Sequence, residues 1–256
     1  MLKNFLTVSI LIALLTNSIN AQNRREPVVL TFGGEVRILT PVSFFNTDSV
    51  VLSGPNQSIR SVNRYTGGYG FGGVIRIKLT DFWNLETGLH YTRRRYENEL
   101  TDPIADFQAT SSVRTSGYEI PLKGLVYIQM ADKLFMNVAL GVSADFYASD
   151  VESRNPDYAL FMFKETWIRA SAIGNFGLEY RTEEDGYFYL GANFHQSFGK
   201  SMSVWVEYER DRNPPDIVQT APVDLSYFSI DFRYFFPPKK DTRPKVKYVK
   251  PDWKNM

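Results

Sequence analysis

Ile168 to Arg181 reads I-R-A-S-A-I-G-N-F-G-L-E-Y-R. Ile168, Ala170, Ala172, Gly174, Phe176, Leu178 and Tyr180 share one side of an extended chain. Arg169, Ser171, Ile173, Asn175, Gly177, Glu179 and Arg181 share the other, because successive side chains of a strand point to opposite faces. The stretch is about twice the usual strand length of roughly 5–6 residues. A long strand with one apolar and one charged face is what a membrane-spanning β-barrel requires, since its lipid-facing positions alternate with its lumen-facing ones.

The same two-faced pattern recurs on both sides of this stretch. It predicts eight strands, roughly 28–39, 69–79, 84–96, 116–130, 134–147, 167–181, 187–198 and 223–236. Three connections are of hairpin length and carry turn-type residues: Thr80-Asp81-Phe82-Trp83, Ala131-Asp132-Lys133 and Thr182 to Gly186. The other four, 40–68, 97–115, 148–166 and 199–222, are long and rich in Asn, Asp, Ser, Pro and Arg. Long structureless connections argue against a compact soluble domain. Short turns at one end and long loops at the other are normal for an outer-membrane barrel. The expected fold is all-β, an eight-stranded antiparallel up-and-down barrel spanning residues 22–236, with both termini on the short-turn, periplasmic side.

The two faces then become specific. One carries Leu30, Phe32, Val36 and Ile38 early in the chain, Tyr118, Ile120 and Leu122 in the middle, and Phe228, Ile230, Phe232 and Tyr234 at the end. The other carries Glu35, Arg37, Arg76, Lys78, Glu86, His90, Glu119, Lys123, Asp145, Arg169, Glu179, Asp231 and Arg233. Buried charges must be paired and hydrogen-bonded, and six acids against six bases meet that condition. An eight-stranded interior is just wide enough for side chains to fill, so the pattern predicts a plugged polar lumen. The alternative is a soluble lipocalin-like binder with the apolar face inward. Two levels of aromatic residues argue for the membrane, whose interfaces attract such rings. Phe82, Trp83, Tyr127, Phe135, Tyr187, Phe235 and Phe236 lie near the short turns; Tyr91, Tyr96, Phe146, Tyr147, Trp167 and Phe198 lie near the loops.

Residues 1–21 read as a secretory signal peptide: Lys3, a mostly apolar run from Phe5 to Leu15, and a small residue, Ala21, before Gln22. The run is shorter than the roughly 20 residues of a spanning helix. There are no cysteines, so an exported chain needs another source of stability, and a closed strand ladder supplies one. The formal net charge is +1. Residues 237–256 alone are +5, and without them and Lys3 the segment 22–236 carries −5. Prolines 237, 238, 244 and 251 prevent a continuous helix there. The expectation is an extended periplasmic tail whose Lys239, Lys240, Arg243, Lys245, Lys247, Lys250 and Lys254 are available to a protein partner.

Tyr118-Glu119-Ile120-Pro121-Leu122 opens a middle strand, and Val138-Ala139-Leu140-Gly141-Val142 lies in the next. These two stretches resemble the PorT-like outer-membrane β-barrel family. The resemblance implies an eight-stranded barrel in the outer membrane of a diderm bacterium. It implies no particular activity. The name-giving branch of that family is associated with protein secretion and gliding.

Motifs with a chemical reading are few. Gly68-Tyr69-Gly70-Phe71-Gly72-Gly73 fits G-x-G-x-x-G, but a dinucleotide site needs a helix to follow, and Val74 to Lys78 alternates as a strand. His195 and Ser197 share a face, which admits a lipid-modifying enzyme if the imidazole activates the hydroxyl. The plainer reading puts both histidines in the lumen network. Arg93-Arg94-Arg95 forms a basic rim suited to phosphates, or simply a solvated one. The sequence thus predicts a non-enzymatic barrel, a structural or accessory subunit of an envelope complex in protein secretion or outer-membrane assembly. It predicts no catalytic residues, cofactor or metal. The expected partners are outer-membrane lipids and periplasmic or outer-membrane proteins, with no nucleic acid.

Overall fold

In the computed structural model the described residues are 29–41, 50–53, 59–80, 82–182, 184–208 and 217–237. The signal-peptide reading and the basic tail, with its seven Lys and Arg residues, lie outside them. Thirteen strands are described: β1 (Val29–Thr40), β2 (Val50–Ser53), β3 (Arg60–Lys78), β4 (Trp83–Asp102), β5 (Phe107–Ala131), β6 (Leu134–Tyr147), β7 (Val151–Asn155), β8 (Tyr158–Lys164), β9 (Ile168–Arg181), β10 (Tyr187–Ser197), β11 (Met202–Tyr208), β12 (Ile217–Val223) and β13 (Tyr227–Phe235).

Eight of them form the ring. The order is β1-β13-β10-β9-β6-β5-β4-β3, and β1 also pairs with β3, every contact antiparallel. Ring closure removes the unpaired edges that an open sheet would present. All eight expected strands are present. The apolar faces point outward: Ile38, Phe71, Leu89, Leu122, Leu140, Phe176, Leu190 and Ile230 are all exposed. The lipocalin-like arrangement, apolar side inward, is therefore the wrong way round for this chain.

The long connections differ from expectation. β3, β4 and β5 run to 19, 20 and 25 residues, so most of 60–68 and 97–115 is strand. β2 adds a short edge strand to β3. The connections 148–166 and 199–222 fold into two hairpins, β7–β8 and β11–β12, which join through β8 and β11 into a second, four-stranded sheet. That sheet packs an apolar core against the tall β3–β5 wall, with Leu160, Met162, Val204 and Val206 facing Tyr65, Tyr96, Leu100 and Val113 in one buried cluster. The loops thus form a stacked cap over the loop end of the ring.

Local sequence explains two irregularities. Thr66 is an extra residue where the β3–β4 register shifts, and Gly67 beside it has φ +117°, a region that L side chains avoid. Pro121 has no N–H to donate. The β4–β5 register correspondingly skips Gly88 and Leu89, while Pro121 stays opposite Ser143 of β6. The glycine-rich stretch 68–73 lies wholly within β3, and β4 follows it, so it has no helix on which to seat a pyrophosphate.

Candidate functional site

The inward faces of the ring strands meet in a dense ionic cluster. Arg233 Nη1 is 3.0 Å from Glu86 and Nη2 is 3.0 Å from Asp231, and its Nε donates to Glu35. Arg37 donates to Glu35, to Glu119 at 2.8 Å and to the Tyr227 hydroxyl at 2.8 Å, and its Nη2 lies 2.7 Å from His90 Nδ1. Arg76 bridges Glu86 at 3.0 Å and Glu179 at 2.7 Å. Lys123 adds a third cation to Glu86 at 2.6 Å. These carboxylates and cations come from six different strands. Glu35, Glu119 and Glu179 are each shared by two cations and Glu86 by three, while Asp231 pairs with Arg233, which is how an interior closed to solvent holds charge without isolated ions. Glu86, Glu179, Asp231 and Arg233 have no solvent exposure at all.

Aromatic rings fill the remaining space. The Arg76 guanidinium lies 3.8 Å from the centre of the Phe235 ring, and Arg233 lies 4.5 Å from that of Tyr189. Both are cation–π contacts. At the turn end Arg181 pairs with Glu179 at 2.7 Å and lies against Tyr127 and Phe135. Tyr127 and Phe235, expected in the aromatic girdle, therefore face inward and seal the turn end of the lumen. Tyr96 and Tyr147 are also buried, inside the cap rather than at the outer interface. Phe82, Trp83 and Phe236 at one end, and Trp167 and Phe198 at the other, are exposed as expected of a girdle.

Most of the expected charged residues come together here: Glu35, Arg37, Arg76, Glu86, His90, Glu119, Lys123, Asp145, Glu179, Asp231 and Arg233 are all buried. Two depart from the expectation. Lys78 ends β3 and is exposed at the turn-end mouth. Arg169 is only half-buried near the loop end, where it donates to the Lys200 carbonyl. Arg94 was missed. It points inward to Glu119 at 3.2 Å and lies 4.9 Å from the Tyr227 ring. Its parity with Glu86 and His90 on one strand carries that information, whereas the run of three arginines hides it.

A smaller polar group sits beside the main cluster. Asp145 accepts from Ser143 and Ser171 and lies 3.1 Å from His195 Nε2. The His195 ring stacks on Tyr227 at 4.6 Å. Ser197 Oγ pairs with Ser201 at 3.1 Å, not with the imidazole. One ligand-type atom each of Glu119, Asp145 and His195 falls within 4.8 Å of the others. Glu119 already holds Arg37 and Arg94, so two guanidinium groups stand where a metal ion would approach that carboxylate. The donor set suits an internal hydrogen-bond network.

This geometry, apolar outside and ionic inside, matches a known family. A sequence model of the outer membrane protein beta-barrel domain covers residues 20–203. The chain belongs to that family. Its ring lies in the outer membrane, with the exposed apolar wall against lipid. Among solved structures, the outer membrane protein OprG from Pseudomonas aeruginosa is similar at a TM-score of 0.52 and 11% identity, over 83% of this chain and 97% of that one. The beta domain of the Bordetella autotransporter BrkA aligns at a TM-score of 0.34 and 13% identity, over 82% and 99% of the two chains. The outer membrane protease OmpT from Escherichia coli aligns at 0.33 and 9%, over 82% and 95%. At these identities the likeness to OprG concerns the fold alone. No protein of curated function matches the chain in sequence.

Proposed function

We propose that this outer-membrane barrel is a non-conducting, non-enzymatic protein that acts as a structural or accessory component of an envelope complex. The observation that carries the reading is the lumen: its charges are paired, its turn end is filled by Tyr127 and Phe235, and its loop end lies beneath an apolar cap. A barrel closed in this way has its working surfaces outside. The Glu-Ile-Pro-Leu stretch of β5 supports a PorT-like assignment, with protein secretion or outer-membrane assembly as the setting.

Three experiments test this. In planar bilayers the wild-type protein should give no large, stable single-channel current; such a current would end the non-conducting reading. After gentle detergent extraction of native membranes, the protein should co-purify with envelope proteins in fixed proportion, and recovery of the barrel alone would remove the accessory role. For the chemistry, His90→Ala and His195→Ala should leave the lipid A mass profile of the cells unchanged. A changed profile in the His195→Ala strain would favour a lipid-modifying enzyme instead.

A further inference from the structure

The Arg93-Arg94-Arg95 run divides at the wall. Arg94 turns into the lumen, while Arg93 and Arg95 point outward with Tyr91. On β5 the outward residue directly across from Arg95 is Arg114. Like charges directly opposite one another in a sheet repel. Among the described residues none of these three arginines is paired with a carboxylate, and Arg93 Nε is enclosed without a hydrogen-bond partner. The bulge at Thr66 places Gly67, which has no side chain, opposite Arg95. The result is a surface hollow of about 510 Å³ lined by Gly67, Gly68, Tyr69, Arg93, Arg95 and Arg114, with Glu97 at one side.

Its height on the wall is informative. Directly below, Phe71, Tyr91 and Tyr118 form an outward aromatic row, with ring centres 5.2 and 5.6 Å apart. Rings of this kind mark the membrane interface. Below them Leu89 and Ile120 continue the exposed apolar wall. At about 3.3 Å per strand residue, Arg93 and Arg95 stand roughly 7 and 13 Å along the strand above Tyr91. That is the depth of lipid headgroups, which occupy roughly the outer 5–8 Å on each side of the hydrocarbon core, allowing for the tilt of the strands. Three unpaired guanidinium groups converging on a hollow at that level, over an apolar wall, fit one chemistry. We propose that the hollow binds the phosphate-bearing headgroup of an outer-leaflet glycolipid, with its acyl chains lying along Leu89 and Ile120. The phosphate oxygens accept charge-assisted hydrogen bonds and remove the Arg95–Arg114 repulsion.

The test uses the full-length protein in detergent micelles and native mass spectrometry, with diphosphorylated lipid A as probe. The triple variant Arg93→Gln, Arg95→Gln, Arg114→Gln should bind it at least about tenfold more weakly, since a single hydrogen bond to a charged group contributes that much. Arg154→Gln, in the β7–β8 hairpin of the cap, should bind as wild type does. Equal binding by the triple variant, or equal retention of fully dephosphorylated lipid A by the wild-type protein, would overturn the proposal. Displacement of the lipid by millimolar inorganic phosphate would mean a site for free anions, and would overturn it equally. Heat-modifiable gel migration verifies folding. If the triple variant does not fold, the Arg114→Gln variant alone, at an exposed position, must still weaken binding, and wild-type affinity there would refute the site.

Discussion

The lower and upper halves of β4 obey opposite rules. Below Tyr91, Leu85 and Leu89 face out while Glu86 and His90 are buried. Above it, Arg93, Arg95, Glu97 and Glu99 face out while Tyr96 and Leu100 are buried. β5 reverses in the same way, from Leu122 out and Lys123 in to Arg114 out and Val113 in. The strand is continuous through the change. Its surroundings are not: hydrocarbon contacts the lower wall, and headgroups and water the upper one. Apolar side chains cover whichever surface meets hydrocarbon and are buried wherever the surface meets water. The interior follows, ionic in the ring and apolar under the cap.

This contrast is open to direct tests, ordered here by expected effect. In the ring, Arg233→Ala removes the cation shared by Glu35, Glu86 and Asp231. Unfolding in urea, followed by tryptophan fluorescence in lipid vesicles, should show a loss of about 3–5 kcal/mol, the usual cost of breaking a buried ion pair. A loss below about 1 kcal/mol would mean that the charges are not what fixes the ring. Under the cap, Leu160→Ala opens a cavity at a position with no exposure. It should cost about 2–5 kcal/mol and expose the β7–β8 hairpin to protease, while heat-modifiable migration of the ring stays unchanged. Joint loss of cap and ring would show that the two regions are one cooperative unit.

The outer walls should differ as sharply. Leu140 is 72% exposed in mid-strand, so Leu140→Arg places a charge against hydrocarbon at a cost of about 2–4 kcal/mol. Thr110→Arg, outward on upper β5, should change stability by no more than about 0.5 kcal/mol. Similar costs at both sites would erase the boundary drawn at Tyr91. A similarly small effect belongs to Arg64 and Glu99, 3.6 Å apart on the upper wall and exposed. A double-mutant cycle there should give roughly 0.2–1 kcal/mol, falling as salt rises.

These two regions were not equally legible in the sequence. The ring strands were readable because lipid on one side and ions on the other give strict alternation, as in Ile168 to Arg181. Where the alternation inverts, as at Arg93 to Glu99, the outward residues look like a solvated loop, and the upward extensions of β3, β4 and β5 were lost for that reason. The cap strands carried a signal that the expected loop pattern obscured. Met202-Ser203-Val204-Trp205-Val206-Glu207-Tyr208 alternates as a strand, and Asn155-Pro156-Asp157 is a turn between β7 and β8. Within the lumen the charged members were visible by parity. Tyr127 and Phe235 share the parity of Lys123 and Arg233, but an aromatic ring near a strand end suits both an interface girdle and a filled interior. Which cation meets which carboxylate depends on side chains converging from six strands, and nothing local encodes it.

The seam between β1 and β13 joins residues almost a chain length apart, with Glu35 and Arg233 separated by 198 positions. Directly across that seam Glu35 faces Arg233 and Arg37 faces Asp231. The two edges therefore carry complementary codes, acid–base on one and base–acid on the other. A slip of one residue would turn the apolar wall inward. A slip of two would set Glu35 against Asp231 in one direction and Arg37 against Arg233 in the other, like against like. Only the native alignment cancels every charge, so the first and last strands of the ring act as a keyed clasp that rejects misregistered closure.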